Sequence, residues 1–66
     1  MKIRFDRDAD ALYIRLDDAA IDSTVEARAG LHLDLDAQGR VVGIEVLSVT
    51  RNLPGADLTK IDFQAA

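Results

Sequence analysis

Hydrophobic and polar residues alternate along most of the chain with a period of two. The alternation is most regular at residues 31–36, where three leucines are separated by a histidine and an aspartate. Similar stretches occur at residues 3–5, 12–16 and 42–46, and a weaker one runs from 23 to 28. Successive side chains on a strand point to opposite faces, so this pattern predicts a mostly β protein. One face of the sheet would be apolar and the other wet, which is typical of antiparallel sheets.

The lengths of the loops predict which residues pair, because a slip of one residue moves every side chain to the other face. In the first hairpin a four-residue loop places Phe5 opposite Leu12. In the last hairpin a four-residue loop around Gly39 places Leu35 opposite Val42. A three-residue loop there would set a leucine against a glutamate, so we predict the four-residue loop.

The middle hairpin favours a loop with an odd number of residues. A three-residue loop that ends at Gly30, with this glycine in the left-handed region, puts Val25 beside Leu33 and Ala27 beside Leu31. The three hairpins then agree on one apolar face. We therefore predict an antiparallel meander of about five short strands, with the order of the hairpins left open.

Residues 1–53 form the predicted sheet domain, and residues 54–66 form a C-terminal tail. A Pro-Gly pair at the start of the tail predicts a type II turn. Asp57 could begin a short helix, which would make the fold α+β, and an extended tail is the alternative. An open sheet needs a cover, so we expect the tail or a second subunit to lie over the apolar face. The apolar residues available for this contact are Leu53, Leu58, Ile61 and Phe63.

Size and charge narrow the classes of function. A chain of 66 residues has a small core, and a second subunit is a common way to stabilise one. The absence of cysteine excludes disulfides and thiolate zinc sites. With 8 basic and 12 acidic residues the net charge is −4, which disfavours nucleic-acid binding and favours a basic protein partner. No stretch has the pattern of a signal peptide or a membrane span, so we expect a cytoplasmic protein that does not bind membranes.

One set of polar residues could carry chemistry. The predicted register places His32 between Glu26 and Glu45 on the wet face. An imidazole between two carboxylates could bind a divalent metal or act as a general base. The alternative is a surface histidine flanked by solvated charges, because flat sheet faces rarely form the concave pockets that chemistry needs. The chain has no cofactor motif and no activated nucleophile, so we expect neither a cofactor nor an enzyme.

The two ends of the wet face carry opposite charge. One interpretation is ordinary solvated charge with cross-strand pairing. The other is an isologous dimer in which the basic half of one copy meets the acidic half of another. The basic half consists of Lys2, Arg4, Tyr13 and Arg15, and the acidic half of Asp34, Asp36 and Glu45.

Two segments carry a family resemblance. Residues 6–14, DRDADALYI, resemble the opening hairpin of the small bacterial proteins grouped as domain of unknown function 2283. Residues 36–47, DAQGRVVGIEVL, resemble the closing hairpin of that family, and the likeness runs from residue 1 to about 53. It implies a compact sheet fold and supplies no catalytic residues. Some members look like antitoxin-type partners of small toxin-like proteins.

These observations together predict a protein-interaction module. We expect it to self-associate as a homodimer, or to act as an antitoxin-like partner of a small basic protein. The alternative is a small-ligand or metal-binding protein that uses the wet face around His32.

Overall fold

The computed structural model describes residues 1–66 as one five-stranded antiparallel sheet followed by one short helix. This confirms the prediction of a mostly β fold with five short antiparallel strands. The helix has four residues, and the structure contains no helix long and apolar enough to cross a membrane. The elements are β1 Lys2–Asp6, β2 Ala11–Arg15, β3 Ser23–Arg28, β4 Leu31–Leu35, β5 Val41–Val46 and α1 Val49–Asn52.

The strands lie in the order β1-β2-β5-β4-β3. Strands β3, β4 and β5 follow one another as a meander of hairpins, and the β1–β2 hairpin joins them because β2 pairs with β5. The connection at residues 16–22 therefore carries the chain from β2 to the far edge of the sheet. Strands β2 to β5 have the arrangement of a Greek key. This order leaves β1 and β3 as the two edges.

Antiparallel pairing aligns the apolar side chains into rows that cross the sheet. The predicted pairs of Phe5 with Leu12 and of Val25 with Leu33 are confirmed. The central apolar row crosses all five strands and consists of Ile3, Ile14, Ile44, Leu33 and Val25. A second apolar row consists of Phe5, Leu12, Val46 and Leu31. We call the surface formed by these two rows the apolar face.

The hairpin between β3 and β4 has a tighter turn than predicted. Arg28 pairs with Leu31, so only two residues form the loop, and the predicted pair of Ala27 with Leu31 is wrong. Gly30 has φ of 78°, which is the predicted left-handed conformation and is suited to a two-residue turn. Ala27 becomes the extra residue of a bulge, and the bulge restores the apolar register further along the strands.

The hairpin between β4 and β5 differs from the prediction in the same way. A hydrogen bond from Asp36 N to Arg40 O, at 2.9 Å, closes a loop of three residues instead of four. Leu35 therefore pairs with Val41, and the predicted pair of Leu35 with Val42 is wrong. The prediction of a four-residue loop assumed that neither strand contains a bulge, and on that assumption the three-residue loop was excluded. Val42 is the extra residue of a bulge on β5, and the bulge returns the following side chains to their predicted faces.

The tail contains turns and no helix, so the alternative of a short helix that begins at Asp57 is wrong. The Asp57 carboxylate accepts hydrogen bonds from the Thr59 N–H at 3.0 Å and from the Thr59 hydroxyl at 2.6 Å, which stabilises a local turn. The turn before it is confirmed by a hydrogen bond from Ala56 N to Leu53 O. It is not of type II, because Gly55 does not have the positive φ which that type requires.

The helix α1 is tied to the first hairpin by Asp10. Ser48, at the start of the helix, makes no side-chain capping bond. Instead the Asp10 carboxylate accepts hydrogen bonds from the Thr50 N–H at 3.2 Å and from the Thr50 hydroxyl at 2.9 Å. The Asp10 carbonyl also accepts a bond from Val49 N at 3.1 Å. The helix is therefore capped by a residue about 40 positions earlier, and Val49 is fully buried.

Most of the apolar face stays partly open to water. Only four residues are buried: Asp36, Val42, Gly43 and Val49. The molecule measures 35 × 31 × 20 Å, and its radius of gyration is 12.6 Å. A compact domain of this length has a radius of gyration of about 11 Å. The single chain is thus a broad slab whose second layer is incomplete.

Substitution of Asp10 tests the link between the first hairpin and α1. Asp10→Gly accommodates the positive φ of 51° but removes the cap, so we expect the free energy of unfolding to fall by about 1 kcal/mol. Asp10→Asn keeps an acceptor oxygen and should cost less. Urea unfolding monitored by circular dichroism measures both. Equal midpoints for the glycine variant and the parent would contradict the cap.

Candidate functional site

The polar side chains also form rows that cross the sheet. The predicted register is confirmed here, with His32 opposite both Glu26 and Glu45, and Asp34 opposite both Thr24 and Gly43. The first polar row is Arg4, Tyr13, Glu45, His32 and Glu26. The second polar row is Lys2, Arg15, Gly43, Asp34 and Thr24. We call the surface formed by these two rows the polar face.

His32 lies between two carboxylates. Its Nε2 is 3.3 Å from Glu26 Oε2, and its Nδ1 is 3.5 Å from Glu45 Oε1. Each ring nitrogen thus lies near a carboxylate on a neighbouring strand. The two carboxylates contact different nitrogens of the ring, so they lie on different sides of it. This arrangement orients the imidazole and links β3, β4 and β5 on the polar face.

The same geometry bears on the metal hypothesis. A metal site requires several ligand atoms at a common point, about 2 Å from the ion. Glu26, His32 and Glu45 do not converge in this way, and no group of three histidine, cysteine or carboxylate residues in the structure could hold a metal ion. Both carboxylates are exposed to solvent. The structure therefore gives the metal-binding alternative no support.

A short hydrogen bond on this face joins the two halves of the sheet. Tyr13 on β2 donates a hydrogen bond from its hydroxyl to Asp34 Oδ2 on β4 at 2.6 Å, reaching across β5. Thr24 on β3 donates to the other oxygen, Asp34 Oδ1, at 2.7 Å. Asp34 thereby connects side chains from both sides of the central strands. Tyr13 of the basic half and Asp34 of the acidic half are therefore paired within one chain.

Gly43 makes this contact geometrically feasible. It lies on β5 beneath the tyrosine, and a Cβ atom there would be 2.4 Å from the Tyr13 hydroxyl oxygen and 2.9 Å from Asp34 Oδ2. Real side chains do not approach that closely. An isolated glycine inside a strand is the sequence signal for a close approach of this kind. The sequence does not say what approaches, because the pairing of β2 with β5 is needed to bring Tyr13 there.

Hydrogen bonds lower the pKa of Asp34 below its usual range. The largest cause is the bond from the Tyr13 hydroxyl, and the next is the bond from Thr24. Partial burial opposes the shift, whereas the nearby charges of Arg15 and His32 add to it. Both bonds favour the ionised carboxylate, so Asp34 is a stable negative charge at neutral pH.

Asp36 does not belong to the exposed acidic half, so that part of the sequence interpretation is wrong. Its side chain is 4% exposed, and it closes the β4–β5 loop. It accepts hydrogen bonds from the backbone N–H of Arg40 at 2.8 Å and of Gln38 at 3.0 Å, and from Arg40 Nε at 2.7 Å. The Arg40 backbone bond is the largest cause of a lowered pKa at Asp36. This carboxylate stabilises the turn and is not free for a partner.

The charged residues of the basic half differ in whether their side chains are exposed or already held by a contact within the chain. Arg15 donates a hydrogen bond to the Ala19 carbonyl, so the connection between β2 and β3 holds its guanidinium. Lys2 and Arg4 lie exposed on the edge strand β1. Arg4 pairs with Tyr13 as predicted. Of the charged residues in this half, only the two on β1 are exposed.

The tail lies over one half of the apolar face. Leu58 and Ile61 line a cleft of about 370 Å³ whose floor is formed by β1 and β2. The floor residues are Ile3, Phe5, Leu12 and Ile14. Leu58 is half-buried there, whereas Leu53, Ile61 and Phe63 are exposed. The candidate apolar contact residues of the tail therefore do not all reach the chain's own sheet.

Residues 2–49 match the family described as "Protein of unknown function (DUF2283)". The chain belongs to this family. The match covers all five strands and the start of α1, while the tail lies outside it. No curated protein and no solved structure matches the chain.

Substitution of Gly43 tests the close approach of Tyr13. Gly43→Ala places a methyl group where the hydroxyl lies, so the tyrosine must move and its bond to Asp34 is lost. We expect a loss of about 1–3 kcal/mol in the free energy of unfolding, measured by urea denaturation. Gly55→Ala is the matched control, because no atom lies within 4 Å of the added Cβ. Equal midpoints for the two variants would contradict this packing.

The dependence of stability on pH tests the Tyr13–Asp34 bond. Because the pKa of Asp34 is lower in the folded chain, the bond stabilises the fold above the unfolded pKa of about 3.9, and this contribution is lost as pH falls through the folded pKa. Tyr13→Phe should cost about 1 kcal/mol at pH 7, with solvent exposure limiting the loss. The cost should shrink below about pH 4.

Asp34→Asn provides the control for this measurement. In that background the carboxylate no longer titrates, so Tyr13→Phe should cost the same at pH 7 and at pH 3. Urea unfolding at each pH measures all four chains. A cost of Tyr13→Phe that is independent of pH in the parent background would refute the assigned role of the bond.

Proposed function

We propose that this chain is a self-associating protein-interaction module that buries its apolar face against a second copy of itself. The observation that carries the proposal is the central apolar row across all five strands, which the single chain leaves partly exposed. At its two ends Ile3 is 43% exposed and Val25 is 42% exposed. A sheet with one apolar face is stable when a second layer covers that face.

The exposed area is close to what a dimer would hide. The chain exposes 5190 Å². A compact monomer of this mass exposes about 4,100 Å², so the excess is about 1,000 Å². A standard protein interface removes about 800 Å² from each partner. One face-to-face contact with a second copy is therefore sufficient to account for most of the excess.

The charges on the edge strands favour a face contact over an edge contact. Two β1 strands paired antiparallel would bring Lys2 and Arg4 close to their own copies. Two β3 strands would do the same with Glu26, and the bulge at Ala27 interrupts that edge. Isologous edge pairing is thus opposed by like charge at both edges.

Contacts within the chain make the polar face the weaker candidate for self-association. Tyr13 and Asp34, which come from opposite halves, already bond to each other, and Arg15 is held by the Ala19 carbonyl. An electrostatic dimer would also weaken as salt screens the charges. A dimer formed through the apolar face would keep its stability or gain some in high salt.

A dimer of this kind leaves the polar face free. The exposed carboxylates of Glu26 and Glu45 then suit the acidic surface of a module that binds a basic protein, which is the second partner we propose. The net charge of −4 supports the same class of partner. We place both interactions in the cytoplasm.

Mass measured against concentration tests self-association. Sedimentation velocity should show twice the 7.2 kDa mass of one chain, in low salt and in 1 M NaCl alike. Ile3→Gln combined with Val25→Gln should raise the dissociation constant at least tenfold, because it removes apolar area at both ends of the central row. A parent chain that stays monomeric at millimolar concentration would overturn the proposal.

The matched control lies on the opposite face of the same two strands. Lys2→Gln combined with Glu26→Gln changes the adjacent residues, which point to the polar face. This variant should associate like the parent, and circular dichroism should show that both double variants remain folded. Equal weakening by both variants would indicate that the apolar face is not the contact.

A further inference from the structure

The tail covers one half of the apolar face and leaves the other half uncovered. Over β1 and β2 the chain's own tail forms a second layer, with Leu58 half-buried against the floor of the cleft. Over β3 and β4 no tail residue lines a comparable cleft, and every residue of β3 is exposed. We call the half over β1 and β2, which the tail covers, the thick half. We call the uncovered half over β3 and β4 the bare half.

Two apolar side chains of the tail stay largely open to water. Ile61 is 68% exposed and Phe63 is 79% exposed, which makes Phe63 the most exposed large apolar side chain in the structure. Leu58 and Ile61 both line the cleft over β1 and β2, whereas Phe63 lines no cleft. A segment that packs on its own sheet through Leu58 and leaves Ile61 and Phe63 largely exposed has apolar surface available for a second contact.

We propose that the tail of each chain is the contact element of the dimer, with Ile61 and Phe63 packing on the bare β3–β4 half of the other copy's apolar face. This inference rests on the proposed self-association and specifies its geometry. A two-fold axis parallel to the strands sets the thick half of one copy against the bare half of the other. The same two-fold rotation covers the bare half of each copy with the tail of the other, as an isologous interface requires.

The alternative two-fold axis, perpendicular to the strands within the interface, sets tail against tail. The two bare halves would then face each other across a gap, and Val25 would stay open to water. Close packing disfavours that gap, because apolar surfaces that enclose a void lose their contacts on one side. The apolar area of Phe63 and Val25 is buried together only with the axis parallel to the strands.

Cross-linking between two differently labelled chains tests this geometry. The chain has no cysteine, so single cysteines can be introduced without side reactions. Unlabelled Val25→Cys is mixed with ¹⁵N-labelled Phe63→Cys and treated with a short bismaleimide, and mass spectrometry then identifies the mixed dimer. We expect a strong mixed product. Glu26→Cys mixed with Phe63→Cys is the control and should give little, since Glu26 points to the polar face of the same strand.

Two further results decide the inference. Ile61→Ser combined with Phe63→Ser should raise the dissociation constant about tenfold or more, whereas Asp62→Ser combined with Gln64→Ser should leave it unchanged. A dimer that forms with no cross-link between positions 25 and 63, or that tolerates the loss of both apolar residues, would overturn this geometry while self-association stands. A chain that is monomeric throughout would overturn both.

Discussion

The pairing of β2 with β5 is the interaction on which the rest of the structure depends. It joins the first hairpin to the β3–β4–β5 meander, and without it the sheet would be two separate pieces. Because Ile14 comes to lie beside Ile44, the apolar residues of all five strands form one continuous row. The same pairing carries Tyr13 over Gly43 to Asp34. One backbone ladder therefore organises both faces of the sheet.

A single sheet of this size has a consequence for function. The small core and the half-exposed apolar row leave the molecule broader than a compact domain of 66 residues. Its polar contacts are already satisfied within the chain, at Asp34, at Asp36 and around His32. The surface without a partner is the apolar one. This is why the proposed self-association uses the apolar face and leaves the polar face free for the second partner.

Two bulges show how the chain keeps its faces apart despite tight turns. Gly30 and Gly39 have positive φ and allow short loops, which by themselves would move side chains to the wrong face. Ala27 and Val42 are the extra residues that compensate. The apolar pattern is therefore a stronger constraint than the loop length, because exposing a whole row costs more than one irregular ladder position.

The sequence by itself determined the five strands, their two faces and the cross-strand neighbours of His32, because alternation with a period of two is local. It did not determine the bulges, the tie between Asp10 and α1, or the buried role of Asp36, since each depends on backbone geometry that hydrophobic pattern does not encode. Only the tertiary structure decided that β2 lies beside β5. That contact joins residues about 30 positions apart, and competing strand orders satisfy the same local pattern equally well.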